Sequence, residues 1–243
     1  MRTIVAVVCI LLLAMQGKAE ERKRNYEKKF PKADIEELVL STSHGKIEIL
    51  QSEEKEIAIY AEIKVNAKSA VKADEMLELI QIMETPTDRY LNIETQFGKD
   101  MGLTSFLSGI SVNVDYKVNI PKGIKLRLIT TDGNIYLGNF SGELNADLRN
   151  GDFKATGLKG GEVYIKQEKG NFSVEEVAVL TGEFKNCTLQ IGSGDQLRLT
   201  TNSCDGQFHS IDKLNVRSSG GNLKIGDIEE LTGSSSFTKY EVQ

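Results

Sequence analysis

Apolar residues recur along the second half of the chain with a period too long for a helix or a single strand. Starting from Leu126, equivalent positions fall at Leu144, Val163, Leu180, Leu197, Leu214 and Leu231, and the last four intervals are identical. Such a fixed period marks a repeat architecture, in which each unit is one coil of a stack. Within a unit the pattern repeats too. Two positions on stand Leu128, Ala146, Ile165, Leu199 and Val216, with Gly182 as the exception. Seven on stand Gly133, Gly151, Gly170 and Gly221, flanked by Asp132, Asn134, Asn150, Asp152, Asn171 and Asn222. Nine and eleven on come Ile135 and Leu137, Phe153 and Ala155, Phe172 and Val174, Leu189 and Ile191, Leu223 and Ile225. In the coil that starts at Leu197 the aromatic falls at Phe208, which reads as a two-position slip recovered before Leu214.

These offsets translate into shape. Alternating apolar residues mark a strand with one buried face. The Asn/Asp-Gly pairs permit positive φ and a sharp turn, and a second alternating strand follows. A single coil cannot bury enough apolar surface to offset the entropy of ordering its backbone, so it needs stacked neighbours. The predicted fold is all-β: a single-stranded β-solenoid of 17–19-residue coils occupying residues 31–243, irregular over 31–122 and regular over 123–243. One further coil precedes the regular ones, because Leu38, Leu40, Gly45, Ile47 and Ile49 fit the same offsets. Ile57 to Val65, Leu91 to Phe97 and Ile110 to Ile120 alternate as strands. Ala70, Ala73, Leu77 and Ile80 have helical spacing and predict a short helix from Ser69 to about Leu79.

The ends carry different signals. Residues 1–19 have the form of an export signal: Arg2, an unbroken apolar run from Ile4 to Met15, then Gly17-Lys18-Ala19 with small residues at the positions a signal peptidase reads. Twelve apolar residues fall short of the roughly 20 that a membrane-spanning helix needs. Residues 20–30 are charged and poor in apolar side chains, and predict a mobile leader. At the other end Leu231 opens a coil that reaches Gln243, so its edge is expected either to associate edge to edge with a partner or to be continued by more chain.

Composition narrows the functional classes. The processed chain carries 28 basic against 35 acidic residues, which argues against nucleic acid as a partner. Three prolines, 22 glycines and no tryptophan fit short strands and tight turns. The histidines, His44 and His209, fall at a turn and on an outward strand position, without a spacing that suggests a catalytic or metal set. Asp132, Asp152 and Asp205 sit at the turns and read as turn formers. No row of acids persists from coil to coil as a polysaccharide-cleaving β-helix would need. The sequence therefore predicts no catalytic residue, no metal site and no cofactor.

Cys187 and Cys204 stand at the offset that glycine holds elsewhere, one repeat apart, and so should lie one above the other. In an oxidising compartment they can close a disulfide worth about 3 kcal/mol. Stacked parallel side chains do not by themselves supply the required dihedral, so both states stay open. Met101, Leu103, Phe106 and Leu107 fall in a loop between strands, as a contact surface or as packing against the coils. Ser41-Thr42-Ser43, Thr130-Thr131, Thr200-Thr201 and Ser218-Ser219 share offsets and form either ladders between coils or a polar binding strip.

Taken together, the export signal, the Leu38–Ile49 coil, the helix at Ser69, the Asp132-Gly133-Asn134 and Asn150-Gly151-Asp152 turns and the closing Ser235-Ser236-Phe237-Thr238-Lys239-Tyr240 resemble a group of exported bacterial adhesin-like proteins, a domain family of unknown function. The resemblance covers essentially the whole processed chain and implies a right-handed solenoid. It carries no functional residues. The expectation is a non-enzymatic envelope or surface protein whose solenoid face binds a macromolecule, either an envelope protein or a glycan. The alternatives are a polysaccharide lyase or hydrolase of β-helix type and an envelope assembly component.

Overall fold

A computed structural model describes residues 19–32, 35–87, 89–98 and 109–242. Eleven strands and one helix follow in chain order: β1 (Glu20–Pro31), β2 (Glu37–Ser52), β3 (Glu56–Ala67), α1 (Ala70–Glu78), β4 (Ile80–Pro86), β5 (Tyr90–Phe97), β6 (Ser111–Pro121), β7 (Lys125–Ser141), β8 (Leu144–Arg149), β9 (Phe153–Lys159), β10 (Val163–Asn202) and β11 (Asp205–Val242). From β7 onward the pairing is parallel, and its register is that of the apolar repeat. Leu126 lies beside Leu144, Leu144 beside Val163, and Leu197 beside Leu214. From the Leu126 coil to the Leu214 coil, the inward columns at the start of each coil, and two, nine and eleven positions into it, are buried in one continuous core, whereas Leu231, which opens the last coil, is exposed.

The turn column shows why glycine recurs. A Cβ at Gly151 would stand 1.9 Å from the Gly133 carbonyl oxygen, and one at Gly170 would stand 2.1 Å from that of Gly151. Close stacking of backbone on backbone excludes a side chain there. The left-handed conformation is carried one residue earlier, at Asn150, Lys169, Asn186 and Ser203, with φ between 53° and 65°. Asn and Ser tolerate this through local side-chain hydrogen bonding.

Two irregularities of the repeat share one explanation. Gly182 breaks the apolar column two positions into its coil, and a Cβ there would lie 2.2 Å from the Phe184 ring. Phe184, two positions later, turns inward and fills the space that the missing side chain leaves, packing on Phe172 at 4.9 Å between ring centres. The Phe208 irregularity is the same device and not a slip. Gly206 pairs with Leu189 and Phe208 with Ile191, so the register of the repeat is unbroken. A Cβ at Gly206 would meet the Phe208 ring at 3.0 Å. A glycine and a phenylalanine two positions apart exchange volume between neighbouring columns and conserve the packing.

The N-terminal half departs from simple winding. The coil from Leu38 to Ile49 is present as β2, and it pairs with β7 along its whole predicted length, Leu38 beside Leu126 and Gly45 beside Gly133. On its other side β2 pairs in parallel with β5, Leu38 beside Leu91, and then with β6, Ile47 beside Tyr116. Thus β5 and β6 together make one rung from two chain segments, and the spatial order of rungs differs from the chain order. A buried hydrogen bond of 2.7 Å between the Thr95 and Tyr116 hydroxyls joins the two segments. Beyond that rung the pairing becomes antiparallel: β3 with β6, β1 with β3, and β4 with β5.

Helix α1 forms where its spacing predicts, with Ser69 as N-cap accepting from the Lys72 amide at 3.3 Å. It buries Ala73, Met76 and Leu77. The segment expected to be a mobile leader is strand β1, paired with β3 from Glu20 to Pro31. Only Phe30 among its side chains is buried, which is why its apolar content gave no strand signal. Backbone pairing holds it, together with side-chain bridges to its neighbours: Arg22 to Asp74 at 3.0 Å, Tyr26 to Glu84 at 2.7 Å, and Lys28 to Glu84.

Candidate functional site

The turn acids are committed to the fold. The Asp132 carboxylate accepts from the Asn150 side-chain amide at 2.9 Å. Asp152 accepts from both the backbone N–H and the side-chain amide of Asn171, at 2.8 and 2.9 Å, and Asp205 accepts the same pair from Asn222, at 2.9 and 3.0 Å. Each acid is thereby a ladder rung that ties one turn to the next. His44 lies beside Asp132, with Nδ1 3.8 Å from its carboxylate, and edge-on to Phe97. Among the described residues no three His, Cys, Asp or Glu side chains converge as a metal site requires.

The Ser/Thr columns divide between the two expectations. Four positions into their coils, Thr42, Thr130, Thr201 and Ser218 are buried. Thr201 donates to Ser218 at 2.9 Å, and Ser218 shares a 2.8 Å hydrogen bond with Thr238. This column is an internal ladder and not an exposed strip. Thr130 Oγ1 and Gln167 Oε1, in the same column, are buried without a hydrogen-bond partner.

Cys187 and Cys204 stack on adjacent coils as their spacing requires, but both are free, buried thiols. The Cys187 backbone N–H donates to Cys204 Sγ at 3.4 Å, and the Cys187 thiol reaches the carbonyl oxygens of Lys185 and Gln167 at 3.2 and 3.4 Å. The hydrogen bond to Cys204, and then burial, hold the Cys187 thiol far above the usual range, so Cys204 is the one that ionises first. Met101, Leu103, Phe106 and Leu107 lie outside the described residues, as do residues 1–18 of the segment expected to be an export signal.

What the sequence did not single out is a groove on the flank of the regular coils. Five coils contribute to it in parallel: Glu162 to Tyr164, Val179 to Thr181, Gln196 to Arg198, Lys213 to Asn215, and Glu230 with Thr232. Its volume is about 440 Å³. The buried apolar column forms the floor, and the residues on either side of it point outward. Tyr164, Thr181, Arg198, Asn215 and Thr232 make one wall, each a full repeat after the last. Glu162, Val179, Gln196, Lys213 and Glu230 make the other. Lys213 and Glu230 approach to 3.8 Å, while Arg198 has no carboxylate partner among the described residues. Tyr164 is half-buried, and burial, with Glu183 as a neighbour, raises the pKa of its hydroxyl. The signal was present in the repeat, but it lay in polar positions whose identities change at every coil.

With the fold and this groove described, the likeness to known proteins can be placed. Residues 35–240 match the model of the family described as Toastrack DUF4097. The chain belongs to this family. The Toastrack match spans both the irregular N-terminal rungs and the regular coils. Among solved structures, a "putative adhesin" from Bacteroides fragilis aligns with 90% of this chain and 97% of its own, at 11% identity and a TM-score of 0.51, which shows a shared fold. A structure described as a "putative lipid binding protein" from Parabacteroides distasonis covers 91% of this chain and 94% of its own, at 15% identity and a TM-score of 0.47. No curated protein sequence is a significant match. No helix among the described residues is long and apolar enough to cross a membrane.

Proposed function

We propose that this Toastrack chain is an exported, non-enzymatic binding protein of the bacterial envelope or surface, adhesin-like in action, which engages a macromolecule along the flank of its solenoid. The observation that carries this reading is the groove that runs across five coils and presents a fresh set of polar side chains at each one. Elongated concave faces of stacked repeats are suited to extended partners. The acids that could serve cleavage chemistry, Asp132, Asp152 and Asp205, are held in the turn ladders instead. The name of the Bacteroides fragilis neighbour points the same way. Export through the N-terminal signal, and a right-handed winding of the coils at the period read from the sequence, belong to the same reading; β1 begins at Glu20, directly after the predicted cleavage point.

The test is sedimentation of the purified processed protein with washed bacterial envelopes. Saturable binding that is lost when Arg198 and Asn215 are both replaced by alanine supports the reading. Absence of binding, or release of soluble sugar from the envelopes, would overturn it in favour of a catalytic role or none at this face.

A further inference from the structure

The groove has a ligand class written into its spacing. We propose that it binds an extended, linear glycan laid along the solenoid axis, with successive sugar units over successive coils; this rests on the binding reading above and names its ligand. The repeat distance selects the polymer. Adjacent rungs stand about 4.8 Å apart, close to the length of one hexopyranose unit in an extended β-linked chain. An extended peptide advances only about 3.3 Å per residue, with its side chains alternating in direction. It would drift out of phase with the coils within two residues. A glycan keeps about one unit over each coil, so every unit stays between the two walls.

The chemistry of the walls fits the same polymer. One wall presents a tyrosine ring, a hydroxyl, a guanidinium, an amide and a hydroxyl in the order Tyr164, Thr181, Arg198, Asn215, Thr232, and the other adds the Gln196 amide. These are directional donors and acceptors suited to sugar hydroxyls. Tyr164, half-buried at the end of this wall, offers its ring for the apolar face of a pyranose. Charge excludes the other extended polymer. The groove sets Lys213 against Glu230 and carries Glu162, so it lacks the excess of cations that a nucleic-acid backbone demands. Arg198, free of any carboxylate among the described residues, is the one cation placed to recognise an acidic substituent or to donate two parallel hydrogen bonds.

Calorimetric titration of the processed protein with cello- and chito-oligosaccharides and with β-linked oligomannuronates, each from dimer to hexamer, tests this directly. At least one series should bind, with affinity rising at each added unit and levelling near the pentamer, because five coils line the groove. Tyr164→Ala and Arg198→Ala should each weaken it by about tenfold or more, with unchanged melting curves. Gln190→Ala, on the other strand face, should change nothing. Binding that does not depend on length, equal loss with Gln190→Ala, or no binding in any series overturns the proposal. The two readings separate cleanly. If the wild type still sediments with envelopes but no oligomer binds, the glycan assignment fails and the binding function stands. If the wild type does not sediment at all, the function itself fails.

Discussion

The regular coils from β7 onward and the rungs before them solve the same problem in different ways. In the regular part every coil finds its neighbour next in sequence, and the interface between them is made by a column of like positions: apolar in the core, Asp with Asn at the turn. In the N-terminal part the rung beside β2 is assembled from β5 and β6, and the flank beyond is closed by antiparallel β3 and β1, by β4 and by helix α1. Columns suffice where sequence neighbours are spatial neighbours. Where they are not, single pair contacts such as Thr95–Tyr116 and Tyr26–Glu84 join the segments. Damage should therefore be compensable within a column of the regular coils and less so at the N-terminal joints.

The largest effect expected is at the volume exchange. Phe184→Ala should cost about 3–5 kcal/mol in urea denaturation, because Phe184 sits among Phe172 and the vacated Gly182 site. Adding Gly182→Leu should recover most of that loss, as the combination restores the column that the other coils carry. If Gly182→Leu deepens the loss, the exchange is not what holds this coil.

A joint should behave otherwise. Tyr116→Phe leaves the buried Thr95 hydroxyl unpaired and should cost about 1–3 kcal/mol with no rescue from neighbouring core changes. It also carries a pH signature. Burial lifts the Tyr116 hydroxyl from 10.0 to about 12, against a lowering by Thr95. The stabilisation is intact below pH 10 and lost as pH rises through 12. Tyr116→Phe should make the alkaline limb shallower, leaving the part due to Tyr26 and Tyr164, which denaturation midpoints measured across this range would reveal.

At β1 the effect should be smaller and fall at the opposite end of the scale. Burial opposes ionisation of Glu84, but hydrogen bonds from Lys28 and Tyr26 outweigh it, so its carboxyl lies below the ordinary 4.5. That stabilisation is present above pH 4.5 and lost as pH falls through the lower, folded value. The protection of β1 amides against exchange, taken relative to the intrinsic rate at each pH, should fall in acid, and Glu84→Gln should lower it already at neutral pH. Smallest of all, Thr130→Val should stabilise by about 0.5–1 kcal/mol, since Thr130 Oγ1 is buried without a partner.

The contrast between the two regions also explains what could be read from the chain alone. The repeat was legible through its apolar positions, because burial restricts them to a few residue types. The same offsets identified Leu38 to Ile49 as a coil, which the structure lays beside Leu126 to Leu137 across a long stretch of intervening chain. Gly206 and Phe208 were misread as a slip because a one-letter pattern does not show a side chain filling a neighbour's space. Strand β1 was missed because its pairing is made by backbone, and backbone leaves no trace in composition. The composite β5–β6 rung was hidden because chain order does not encode spatial order. For the groove, the outward positions keep the period while changing identity, so periodicity alone does not announce a site.

The claim on which all of this rests is the register at the joint of the two regions, where β2 is sandwiched between the composite rung and β7. Disulfide trapping measures it. Val39 pairs with Arg127 across that joint, and Asn145 lies one rung further on. Under mild oxidation, the combination Val39→Cys with Arg127→Cys should cross-link rapidly within the folded monomer, while Val39→Cys with Asn145→Cys should not, since about two rung spacings exceed the reach of a disulfide. Cross-linking of the second pair, or none in the first, would contradict the order of rungs and with it the stacked face on which the groove is built.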